Sequence, residues 1–299
     1  VALDPEELFE VDSDVPDLSG VVLLHHFSGF MDAGSAGAAL VEHLLAVCEH
    51  RVVARFDVDG LIDYRARRPM MTYDTDRWQG YDRPELVVRL LHDAEGVQFL
   101  LLTGPEPDRR WEAVVAAVQG LVERWGVRLT VGAHGIPMAV PHTRALSVIS
   151  HATRAELVTE RFPVSRVQVP GNLSALVEFR LGEAGHDAMG FAAYVPHYLA
   201  QSTYPTAALG LLGAVTSATG LVIKTDALRA AAELADAEVA RQVADSAEIS
   251  QVVEALERQY DAYAESSNNL LVAEGEQVPS ADELGAEFER FLAELPRDP

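Results

Sequence analysis

The densest run of groups able to do chemistry is Gly132–Arg144, GAHGIPMAVPHTR. It leaves an apolar stretch, is broken by Pro137 and Pro141, and offers His134, His142, Thr143 and Arg144. His134 or His142 can act as a general base near neutral pH. The Arg144 guanidinium matches a carboxylate or phosphate through two parallel bonds. The same side chains also suit a structural task, hydrogen-bonding the main chain of an irregular buried loop, whose polar groups must all find partners. His151 follows, but no i, i+4 histidine pair and no carboxylate ligand accompany it, so neither a metal nor a cofactor is expected.

A second candidate is Gly29–Ser35, GFMDAGS, between an apolar run and a helical pattern. Its glycine spacing imitates a phosphate-binding loop, but Ser35 and Ala36 stand where such a loop needs Lys and Ser/Thr. Asp32 would add a negative charge beside a phosphate, so nucleotide hydrolysis is rejected. Ser35 lacks the first glycine of a nucleophile elbow. Backbone N–H groups at a helix start commonly face a ligand, which makes Gly29, Phe30, Asp32 and Gly34 candidate ligand-binding positions; tight turning is the plainer role for the glycines. Gly135 and Arg144 join that set, with Asn172 after Val-Pro-Gly, and His197 and Tyr204 in VPHYLAQSTY. Glu178 sits on the helix after Asn172.

The elements that must hold these residues alternate. Val21–Phe27, Arg51–Asp57, Val97–Thr103, Val127–Ala133, Leu146–Ser150, Val167–Val169 and Met189–Val195 read as strands. Helical spacing marks Ala33–Val47 with Asp32 as its N-cap, Asp108–Trp125, Leu173–Glu183 and Thr206–Thr219. Tyr64–Trp78 reads as a hairpin excursion, and Pro84–Asp93 suits a short helix or a strand. The expected fold is α/β, a central mixed sheet flanked by helices over residues 1–223. Residues 224–299 form a C-terminal helical appendage and candidate lid: one helix after Asp226, a second through Val252–Tyr263, a polar stretch at Glu265–Pro279, and a third helix opened by the Ser280/Glu283 capping box.

Composition bounds the partners. The 299 residues carry 46 acidic and 23 basic side chains, a net charge of −23, which argues against a nucleic-acid-coating protein. Arg65, Arg67, Arg68 and Arg77 form the main basic concentration; an acidic surface of another copy is the expected partner. The uncharged stretch Ala188–Ile223 is interrupted by Pro196 and Pro205, so it reads as strand, loop and buried helix, with no membrane role. One cysteine, Cys48, and an acidic opening stretch suggest the cytoplasm and no signal peptide.

Gly29–Glu42, Gly135–Arg144, Val169–Asn172 and Val195–Tyr204, in this order, resemble the proteasome assembly chaperone 2 family in its actinobacterial branch. The resemblance covers about residues 20–220, and the helical tail is similar to that branch as well. It implies a core like that of purine nucleoside phosphorylases and peptidyl-tRNA hydrolases, and self-association as trimers. It implies no activity, since fold does not set function. Two readings stand: a chaperone-like binding or assembly protein that self-associates and holds a small anionic ligand or peptide in a cleft, or a hydrolase or phosphorylase-like enzyme acting on an anionic small molecule there, with His134 or His142 as base.

Overall fold

A computed structural model describes residues 4–158 and 167–270, with side chains described to 263. Eight strands form one sheet: β1 (Phe9–Val11), β2 (Val22–Ser28), β3 (Glu49–Phe56), β6 (Val87–His92), β7 (Gln98–Pro105), β8 (Leu129–Met138), β9 (Val148–Ala152) and β10 (Ala188–Pro196), in the order β1-β3-β6-β7-β2-β8-β10-β9. β4 (Met71–Asp74) and β5 (Arg77–Tyr81) pair apart from it as a hairpin. The four central strands β7, β2, β8 and β10 run parallel. β6, β3 and β1 continue antiparallel on one side, and β9 closes the other edge. The expected mixed α/β sheet is present.

Among the described residues α1 (Ala36–Val47), α2 (Trp111–Arg124), α3 (Leu173–Glu183) and α4 (Pro205–Thr219) cover it, while α5 (Asp226–Ala244) packs on α4 and α6 (Ala247–Leu270) on α5. β2 shows why its sequence reads as an unbroken apolar run. Leu23 and Phe27 enter the core beneath α2 and α3, with Val118, Leu121, Val177 and Leu181. Val22 and Leu24 face the other way, toward α1 and α4, with Leu40, Leu44, Leu211 and Val215. A strand buried on both faces favours a near-continuous apolar run, which His25 and His26 interrupt as buried polar residues. The chain leaves β2 through α1 on one face; the route from β8 to β10 passes β9 and then α3 on the other. β2 and β8 therefore flank a topological switch, the place where open parallel sheets leave a crevice beyond their strand ends.

Pro84–Asp93, open between a short helix and a strand, contains the strand β6. Several expectations are corrected. Val167–Val169 joins no ladder; Val167 and Val169 are exposed. β8 runs on to Met138 because β10 pairs with it through Pro196, so His134 and Gly135 lie in a strand where a loop was expected. The hairpin strands fall at 71–81, later than 64–78. A short 3-10 turn, Ala33–Ser35, precedes α1. α6 continues through 265–270, where a polar stretch was expected; the third tail helix lies outside the described residues. The uncharged 188–223 stretch becomes β10, a loop and α4, and no described helix is long and apolar enough to cross a membrane.

Candidate functional site

At the switch crevice Asp32 is the organising group. Its Oδ1 accepts from the Gly37 and Gly135 N–H groups at 2.8 and 3.0 Å, and its Oδ2 from Ala38 N–H at 3.0 Å. It caps α1 from five and six residues back, while Ser35 holds the N-cap position at φ 49° without a side-chain cap. A ligand anion would seek the same N–H groups; the chain has filled this niche with its own carboxylate. Gly135 must be glycine to approach so closely, since a Cβ there would lie 2.1 Å from the Ala33 carbonyl oxygen. Gly34, at φ 66°, donates to the Ala200 carbonyl and accepts from Tyr204 N–H, joining this loop to the segment after β10.

Two pockets flank this junction. The first is lined by Phe30, Met31, Glu106, His134, Asn172 and Ser174, among others. Gly29 packs against its Glu106: a Cβ there would meet the Glu106 carboxylate at 2.7 Å. Glu106 is buried and accepts from Leu173 N–H at 2.7 Å. Asn172 caps α3 by accepting from Ala175 N–H at 2.8 Å. His25, His134 and His151 share the sheet face beneath α3, with Gly132 and Gly190 between His25 and His151 in register. Burial, reinforced by His26, pulls His25 down to about 3. Burial and then His151 pull His134 down to about 4. Burial also opposes the charged form of His151, but its 2.9 Å contact with Glu178 outweighs that and raises its pKa.

The second pocket lies under the tail and is lined by His142, Arg144, Tyr194, Tyr204, Asp236 and Tyr260, with further apolar residues. His142 meets the Tyr198 hydroxyl through its ring Nδ1 at 2.8 Å and its main-chain N–H at 2.9 Å. Burial lowers its pKa. Arg144 forks onto Asp261 of α6 through Nε and Nη2, at 2.8 and 2.7 Å, and reaches Glu257 at 3.2 Å.

The predicted site residues thus gather at one end of the sheet but divide. Phe30, His134 and Asn172 belong to the first pocket, with Gly29 packed against its Glu106, and His142, Arg144 and Tyr204 belong to the second. Asp32, Gly34 and Gly135 build the junction. His197 is exposed, packs its ring against Tyr198 and lines neither pocket. The residues expected in one shared cleft fall into two pockets, and Asp32, bonded to Gly37, Ala38 and Gly135, stands at the junction of the loops. Sequence reasoning missed Glu106, Ser174 and His25, and the tail carboxylates Asp236, Glu257 and Asp261. Glu106 had a local signal, following Gly104-Pro105 at a strand end; the tail carboxylates were indistinguishable from their acidic neighbours. Among the described residues no group of three or more His, Cys, Asp or Glu is placed to hold a metal.

Comparison with known proteins follows this geometry. No curated protein matches the chain. A Mycobacterium tuberculosis protein of unknown function is 44% identical, with a TM-score of 0.85 over 89% of this chain and 92% of that one. A Corynebacterium glutamicum protein of unknown function is 35% identical, with a TM-score of 0.82 over 87% and 99%. A proteasome-assembly chaperone homologue from M. tuberculosis shares the fold at 24% identity, with a TM-score of 0.71 over 78% and 100%. The PAC2 family model matches residues 26–243, and the chain belongs to the PAC2 family.

Proposed function

We propose that this chain is a chaperone-like binding or assembly protein that self-associates, as a trimer, and holds a peptide or small anionic ligand at the sheet end. The observation that carries self-association is the β4–β5 hairpin. Met70, Met71, Tyr73, Trp78 and Tyr81 around it are each at least 50% exposed. Tyr73 and Trp78 form a cross-strand edge-to-face pair, with centroids 5.1 Å apart. An isolated two-stranded hairpin is marginal in water, and clustered exposed aromatic and methionine side chains mark a contact surface. Arg68 and Arg77 beside them suit an acidic face of a second copy; Arg67 instead pairs with Asp108. A fold neighbour named for proteasome assembly supports an assembly role.

The site chemistry favours binding over catalysis. His134, pulled down to about 4, is a weak base at neutral pH. Asp32 fills the anion niche of the glycine loop, and Arg144 is engaged by tail carboxylates. Sedimentation velocity of the wild type and of Tyr73→Ser/Trp78→Ser tests the hairpin contact. The wild type is expected to sediment as an oligomer and the variant as a folded monomer. A monomeric wild type, or a variant that stays oligomeric, defeats the reading. Co-purification of proteasome subunits with the tagged chain tests the assembly role.

A further inference from the structure

Helix α6 packs on α5 and reaches the second pocket through Tyr260, and its rim through Glu257 and Asp261 on Arg144. Val253, Leu256, Glu257 and Tyr260 turn inward at i, i+3, i+4 and i+7, the spacing by which amphipathic helices anchor in grooves. Val253 and Leu256 are buried, and Tyr260 lines the pocket. Glu257 and Asp261, one turn apart, both reach Arg144, and Glu257 also accepts from the Thr143 hydroxyl. The receiving side carries Leu146, Tyr194, Pro196 and Tyr204.

This helix is lightly held. Among its described side chains Val253 and Leu256 alone are buried apolar groups, while Ile249 and Val252 are exposed. Helices in proteins are held mainly by packing an apolar face, and two such residues are few for the described stretch 247–263. Beside its packing on α5, the bidentate Arg144 contact ties α6 to the segment after β8.

We propose that the pocket behind Arg144 is a binding site for an acidic amphipathic helix of a partner protein, and that α6 occupies it in cis as a pseudo-ligand. This rests on the binding-protein reading above and names its ligand class and its control. The matched features are the carboxylate pair for Arg144 and the aromatic anchor one residue before the second carboxylate. A free small anion would satisfy the guanidinium but leave the aromatic and apolar wall uncovered, which favours a helix as ligand.

The probe is a fluorescent peptide of residues 247–263, titrated by anisotropy into the full chain. The wild type should bind it weakly, since α6 competes. Glu257→Gln/Asp261→Asn in the chain should raise affinity about tenfold, the shift expected when a competing cis state is weakened. Adding Arg144→Gln to that variant should remove the gain, and a peptide carrying the same two substitutions should not bind. Circular dichroism and thermal midpoints confirm that each variant folds. Equal affinity of wild-type and variant chains, or binding indifferent to Arg144, overturns the proposal. Loss of the oligomer in Glu257→Gln/Asp261→Asn would make α6 a contact between copies and also overturn it. An oligomer without the peptide gain defeats this inference alone; a monomer that shows the gain defeats the hairpin contact alone.

Discussion

Asp32 was legible in the sequence as a helix cap, but its partners were not. Two of its bonds stay within α1, and the third reaches Gly135 on another strand. Removing it with Asp32→Ala strands three N–H groups in a part-buried site. Charged hydrogen bonds contribute about 1.5–3 kcal/mol each and are not additive, so a loss of about 3 kcal/mol is expected. Asp32→Asn keeps one acceptor and should lose less. Urea midpoints check this, and an unchanged midpoint for Asp32→Ala would refute the capping role. His25 gives a pH prediction. Its pKa of about 3 in the fold lies below the ordinary 6.5. Between those values the unfolded chain binds a proton that the folded chain refuses, so stability falls as pH drops from 6.5 toward 3. His134 acts in the same direction down to about 4. His151 has the opposite sign: its raised pKa contributes stability at low pH that is lost as pH rises through that value. The thermal midpoint should therefore fall on acidification below 6.5, and His25→Leu should flatten the fall. Equal slopes in variant and wild type would refute burial of a neutral His25.

Among the elements, the glycines separate two kinds of position that look alike in sequence. Gly120 in α2 and Gly213 in α4 are exposed and face open space. Alanine at either should stabilise the chain by about 0.5–1 kcal/mol through helix propensity. Gly135→Ala should destabilise it by more than either gains, because its Cβ would press on the Ala33 carbonyl. Thermal melts of the three single variants decide this; a neutral Gly135→Ala would mean that the Asp32 junction yields easily. Helices α3 and α4 were readable almost to the residue, because the Asn172 cap and Pro205 mark their starts. Pro84–Asp93 was not. A run buried on both faces has no period of its own, and only pairing with β3 and β7 makes it a strand.

For the whole molecule, the charge of −23 sets a self-repulsion that the fold must carry. Salt should relieve it. In the monomeric Tyr73→Ser/Trp78→Ser variant, raising sodium chloride from about 0.05 to about 0.5 M shortens the screening length to a few ångströms and should raise the thermal midpoint. In the wild type the same salt should weaken any contact between the arginine-flanked hairpin and an acidic face. A midpoint that falls with salt in the monomer would show that local ion pairs outweigh net repulsion.

Composition, periodicity and turn residues already determined an α/β sheet, its principal helices and a helical tail, because those depend on neighbours within a few turns of chain. The loops bearing Gly29, His142 and Tyr204 were likewise traced to strand ends, whereas His134 proved to lie within β8. Tertiary structure alone decided that they serve two pockets, and that Asp32 and Gly135, 103 residues apart, bond at the junction. It alone decided that Arg144 faces the tail, through Asp261, 117 residues away. No local pattern encodes contacts of that range. They follow from strand order, the close approach that glycine permits, and the pairing of a carboxylate with the nearest unsatisfied donors.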